Sequence, residues 1–103
     1  MASESFDFRG ALIKEQGVTF AVVEVTFDVL SGGDRSVAGE RARFTPIFKD
    51  VPIVLAARRP DGRAVYSGRP DIVRFLSTTG WNRIPWKRYR ARKKDRNPFR
   101  DWA

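Results

Sequence analysis

The stretch Val18-Thr-Phe-Ala-Val-Val-Glu-Val-Thr-Phe-Asp-Val-Leu30 decides the fold class of this chain. It is dominated by β-branched and aromatic residues, which are typical of a β-strand. Both alternating faces are mostly apolar through Val23, so the pattern predicts a central strand covered on both sides of its sheet. The sequence therefore predicts a sheet-based core with this strand in its interior.

The elements on either side of this strand predict an α+β domain. They are a strand over Phe6–Ile13 with a turn at Lys14–Gly17, a helix from near Arg35 to Thr45 that Pro46 ends, a strand over Val51–Ala57, a strand over Ala64–Ser67 and a helix over Pro70–Ser77. The helix between the second and third strands implies a parallel crossover. The order β-β-α-β-β-α thus predicts a small, mixed four-stranded sheet in the order 1-2-3-4, with a basic C-terminal extension.

The chain of 103 residues suits one domain, and no apolar run approaches the length of a membrane span. We predict a compact α+β domain over residues 1–86 and a basic, partly flexible tail over residues 87–103. The first eight residues lack the basic stretch and apolar run of a secretory signal. A cytoplasmic protein with no membrane span is therefore expected.

The composition excludes several chemistries. The chain has no cysteine and no histidine, so disulfides, thiolate nucleophiles, Cys- or His-ligated metals and Ser-His-Asp catalysis are all excluded. Neither a Gly-rich phosphate loop nor a dinucleotide-binding fingerprint occurs. We expect no catalytic residue, no metal and no cofactor, and a binding protein is favoured over an enzyme.

The positive charge is concentrated at the C-terminus. Residues 1–80 hold 11 Lys/Arg and 10 Asp/Glu, whereas residues 81–103 hold 9 Lys/Arg and 2 Asp/Glu. The second part therefore carries +7 of the net charge of +8. Such asymmetry indicates a polyanionic partner more strongly than a uniformly high isoelectric point would.

Two interpretations apply to this basic segment. Trp81 and Trp86 are expected to pack the chain onto the sheet, because aromatic side chains bury large areas. The run beyond them is expected to contact the phosphates of DNA or RNA, with Tyr89 as the candidate for base stacking. The candidate phosphate contacts are Lys87, Arg88, Arg90, Arg92, Lys93, Lys94 and Arg96. The other interpretation is a solvated tail that aids solubility.

A second basic cluster flanks the turn signal Pro60-Asp61-Gly62. Arg58, Arg59 and Arg63 are candidate nucleic-acid contacts if this hairpin tip reaches a phosphate backbone. An ordinary charged turn is the alternative.

Two other functions are alternatives to nucleic-acid binding. In one, a sheet edge or the aromatic C-terminus with Phe99 and Trp102 binds an acidic protein or a second copy of the chain. In the other, Glu24, Asp28 or Asp50 holds Mg²⁺ in a hydrolase, although Glu24 and Asp28 would lie too far apart along one strand to share an ion. A buried Glu24 would need a partner such as Arg41.

Overall fold

A computed structural model describes residues 5–49 and 51–92, which form a five-stranded mixed sheet with helices on both faces. The strands are β1 (Ser5–Glu15), β2 (Val18–Glu24), β3 (Ile53–Arg58), β4 (Ala64–Ser67) and β5 (Lys87–Arg92). The helices are α1 (Phe27–Ser31), α2 (Asp34–Phe44) and α3 (Pro70–Thr79), and a 3-10 turn spans Trp81–Arg83. The strand order is β4-β3-β2-β1-β5.

The predicted α+β class and mixed sheet are confirmed, as are the neighbours of the first four strands. β1 and β2 are antiparallel, β2 and β3 are parallel, and β3 and β4 are antiparallel. Gln16 and Gly17 form the turn between β1 and β2 with φ of +52° and +81°. Positive φ at both central residues of a two-residue turn matches the right-handed twist of the strands it joins.

The predicted four strands are five in the structure. The fifth strand, β5, pairs antiparallel with β1, with Phe8 opposite Tyr89 and Asp7 opposite Arg90. It occupies the first part of the segment expected to be a tail, because alternate residues of that segment, Tyr89 and Ala91, complete the apolar core. Residues 93–103, in which the rest of the expected tail lies, are outside the described residues.

The strand predicted over Val18–Leu30 is shorter in the structure. β2 ends at Glu24, although the Val25 N–H still donates to the carbonyl of Ala56 at 2.8 Å. Thr26 is extended, and α1 begins at Phe27. Val29 and Leu30 then pack against the core from this short helix. The apolar spacing of residues 25–30 is compatible with both a strand and a helical turn. The helical turn forms because it packs Val29 and Leu30 against the core.

Two apolar clusters lie on opposite faces of the sheet. On one face, Phe44 and Phe48 pack with Phe8, Val23 and Leu55 beneath α1 and α2. On the other, Ile72 and Leu76 of α3 pack on Phe20, Val22 and Val54, and Ile84 extends this cluster. The second face is the one on which the candidate site lies.

Candidate nucleic-acid interface

Two arginines and two tryptophans form a continuous row across the α3 face of the sheet. The guanidinium carbon of Arg58 lies 5.2 Å from the ring centroid of Trp81. The rings of Trp81 and Trp86 are 4.8 Å apart, and Arg9 lies 5.2 Å from the centroid of Trp86. We call these four residues the Arg–Trp row. It runs from β3 to β1 and places cationic groups at both ends of an aromatic pair.

The segment between α3 and β5 builds the centre of this row. Gly80, at φ +95°, ends α3 and turns the chain into the 3-10 turn. The buried Ile84 fixes the segment to the sheet, and the Trp86 indole N–H donates to the carbonyl of Trp81 at 3.1 Å. Trp81 and Trp86 are partly buried against the core cluster, so the prediction that they pack the chain onto the sheet is confirmed.

Strand β5 adds two more arginines to the same face. Arg88 lies opposite Arg9 and Arg90 lies opposite Asp7, and paired residues of antiparallel strands project to one side of the sheet. Asp7, Arg9 and Arg88 line one shallow depression with Phe8. We call the Arg–Trp row together with Arg88 and Arg90 the basic face.

Two carboxylates partly neutralise the basic face. Arg9 pairs with Glu24 at 3.2 Å, and Arg90 donates to Asp7 at 3.0 Å. The hydrogen bond from Arg90 is the main reason that the pKa of Asp7 lies below its ordinary value, and the charges of Arg90 and Arg88 lower it further. Within the described part of the chain, Arg88 forms no ion pair. Four arginines against two carboxylates leave the face positive.

The structure places the other sequence-predicted residues differently. Lys87 and Tyr89 alternate with Arg88 and Arg90 and so project to the opposite face. The Tyr89 ring stacks on Phe8 with centroids 5.2 Å apart and planes 8° apart. Arg92 ends β5. The remaining candidates, Lys93, Lys94 and Arg96, lie outside the described residues, as do Phe99 and Trp102.

The hairpin tip and the carboxyl end of β5 lie at the same end of the sheet. β2 and β5 both run antiparallel to β1, and β3 runs parallel to β2. The carboxyl ends of β3 and β5 therefore lie at the same end of the sheet. They are three strand spacings apart, or about 14 Å. Arg59 and Arg63 reach Asp61 at 3.7 and 3.9 Å, whereas Arg58 turns to Trp81. Of this basic cluster, Arg58 is the member that joins the basic face.

Sequence reasoning did not single out Arg9. The residue belongs to the site because β1 lies between β2 and β5, a position that only the sheet order reveals. The alternation of Phe6 and Phe8 with Asp7 and Arg9 is the local signal that was available. It indicates a strand with one apolar and one charged face.

Two of the carboxylates considered for Mg²⁺, Glu24 and Asp28, lie on different elements. Asp28 lies in α1 rather than on β2, which corrects the expectation that it shares a strand face with Glu24. The partner of Glu24 is Arg9, not Arg41. No group of three acidic side chains that could hold a metal occurs among residues 5–49 and 51–92, and Asp50 lies outside them.

Arg41 instead ties α2 to two strands. Its Nε donates to the carbonyl of Ile53 at 3.2 Å, and its Nη2 donates to the carbonyl and hydroxyl oxygens of Ser67 at 2.9 and 3.2 Å. The arginine that interrupts the apolar stripe of α2 therefore stabilises the layer between helix and sheet.

Comparison of the chain with protein-family models, with curated proteins and with solved structures finds no match. None of the helices in the described residues is long and apolar enough to cross a membrane. Function is therefore inferred from the site itself.

Proposed function

We propose that this protein is a binding module that contacts nucleic acid through its basic face. The observation that carries the proposal is the pairing of β5 with β1, which aligns Arg88 and Arg90 with Arg9 on one side of the sheet. Guanidinium groups on a shared surface suit a phosphate backbone because each presents several donors in a fixed plane.

The aromatic centre of the face supports nucleic acid over a generic polyanion. Trp81 and Trp86 are only partly buried and lie between two arginines. Partly exposed aromatic rings within a positive surface contribute base stacking to the binding of single strands. A polyanion without rings, such as polyglutamate, would use the arginines but would present nothing to stack on the tryptophans.

The test is fluorescence anisotropy with labelled 20-nucleotide RNA and DNA, single-stranded and duplex, at 50 and 200 mM salt. We expect affinity to fall as salt rises, because phosphate contacts release counterions. Arg88→Glu should weaken binding about tenfold, since it removes one contact and adds a repulsion. Arg35→Glu is the charge-matched control, because Arg35 is exposed on α2, which packs on the other face.

Three results would overturn the proposal. One is the absence of binding to any of these nucleic acids at 50 mM salt. Another is an equal loss of affinity in Arg88→Glu and Arg35→Glu, which would indicate an effect of net charge alone. The third is competition by polyglutamate as effective, charge for charge, as competition by nucleic acid.

A further inference from the structure

A groove opens beside the basic face, at the end of the sheet where β2 and β3 finish and β1 begins. Its volume is about 710 Å³, within the range of sites that take small organic groups. In open, mostly parallel sheets, ligands bind outside the carboxyl ends of the strands, and the groove lies at that end of β2 and β3, the parallel pair of this mixed sheet. Its aromatic walls are Phe6, Phe8, Phe27 and Phe44.

Planar groups already lie on these aromatic walls. The guanidinium of Arg43 lies 4.4 Å from the centroid of Phe6, and that of Arg59 lies 5.5 Å from the centroid of Phe27. Phe6 and Phe27 are only partly buried. A flat heterocycle that displaced either guanidinium would stack on the same ring face.

The rim of the groove is polar and carries both signs of charge. Glu40 accepts from Arg43 at 3.0 Å, and Glu24 pairs with Arg9 at 3.2 Å. Carboxylates and arginines beside an aromatic wall supply acceptors and donors for a ring system with polar edges. A lipid chain would make no use of this polar rim, and a free phosphate would meet three carboxylates, those of Asp7, Glu24 and Glu40.

The groove is continuous with the basic face, because Asp7 and Arg58 border both. A strand whose phosphates contact Arg58 therefore has its bases within reach of the groove. A base held in a duplex is stacked and paired, whereas an unpaired base can turn into such a site.

We infer that the groove takes one unpaired nucleobase of the strand bound on the basic face, so that the protein selects single-stranded over duplex nucleic acid. This inference rests on the proposed function. Stacking against the aromatic walls supplies the affinity, and the charged rim contacts the polar edge of the base.

The experiment compares two ligands on the full chain: a labelled 12-nucleotide single-stranded RNA and an abasic strand of the same length and charge. Phe27→Ala should weaken binding of the RNA about tenfold and leave binding of the abasic strand unchanged, because it removes a ring and no charge. Arg88→Glu should weaken binding of both ligands. Phe27→Leu keeps most of the apolar volume without the flat ring and should show the same selectivity. It replaces Phe27→Ala as the test if circular dichroism shows that the alanine variant does not fold.

The outcomes separate the two proposals. If neither ligand binds the unaltered protein, the proposed function fails and this inference fails with it. If both bind and the Phe27 variants affect them equally or not at all, the basic face stands and the base site is overturned. Equal affinity of the unaltered protein for single strands and duplex would also overturn the base site.

Discussion

Asp7 and Arg90 lie directly opposite each other on β1 and β5, and the Nε of Arg90 donates a hydrogen bond of 3.0 Å to the carboxylate of Asp7. Arg90→Gln should raise the pKa of Asp7 towards its ordinary value, because that hydrogen bond is the largest cause of its lowering. Carboxyl carbon shifts in an NMR titration measure this pKa. An unchanged pKa in the variant would contradict the pairing.

The same pair has a defined effect on stability against pH. The pKa of Asp7 is lower in the folded than in the unfolded protein. The contribution of Asp7 to the free energy of unfolding is therefore fully present above the unfolded pKa and is lost as pH falls through the folded pKa. Below about pH 4, Arg90→Gln should therefore lose stability less steeply than the unaltered protein. Urea unfolding across that range measures the slope.

Asp7→Asn should tighten binding of nucleic acid about threefold and make its salt dependence steeper, because the change removes a negative charge from the basic face and frees Arg90. Asp71→Asn is the matched control. Asp71 is also paired with an arginine, Arg69, at 2.7 Å, but it lies near Gln16 at the opposite end of the sheet. Equal effects of the two changes would argue against a localised face.

Gly10→Ala should destabilise the protein by about 1–3 kcal/mol. Gly10 lies in β1, the strand that pairs with both β2 and β5. A Cβ at Gly10 would meet the Val22 carbonyl at 2.9 Å and the Phe8 ring at 3.3 Å. Gly39→Ala is the control, since its Cβ would meet nothing within 4 Å in the middle of α2. That change should stabilise by about 0.5–1 kcal/mol. Thermal and urea unfolding measure both.

Arg41→Lys should cost about 2 kcal/mol of the free energy of unfolding, because an ammonium cannot reproduce the fork that bridges Ile53 and Ser67. Arg35→Lys on the same helix should change it by less than about 0.5 kcal/mol, since Arg35 is exposed. A similar loss in both variants would show that the bridge contributes nothing specific.

Tyr89→Ala should destabilise the fold by about 2–4 kcal/mol, because the ring packs on Phe8 and Phe48 with centroids 5.2 and 5.5 Å away. Tyr89→Phe keeps these contacts and should retain both stability and nucleic-acid affinity. If Tyr89→Ala folds normally and loses affinity alone, the residue stacks on bases as its sequence position suggested.

Elements whose ends are marked by proline or glycine were predictable from the sequence. Pro70 begins α3 and Gly80 ends it, Pro46 follows closely on the end of α2, and Gly17 supplies the turn between β1 and β2. Each of these residues restricts or frees its own backbone, so its effect on the end of an element can be predicted without knowledge of distant contacts.

Elements that depend on contacts with distant parts of the chain were not predictable from the sequence. Residues 87–92 are mostly basic, and a charge run is typical of a solvated tail. They form a strand because Tyr89 and Ala91 alternate with Arg88 and Arg90, and because β1 offers a free edge beside Phe6 and Phe8. The role of Arg9 depends on the same pairing and was hidden for the same reason.

The outer edge of β5 faces no other strand among residues 5–49 and 51–92. A second copy that added its own β5 there would place Lys87, Arg88 and Arg90 of the two chains on neighbouring strands. Like charges on directly opposed positions destabilise a strand pair. We therefore expect the charge of β5 to oppose pairing of this edge with a second β5.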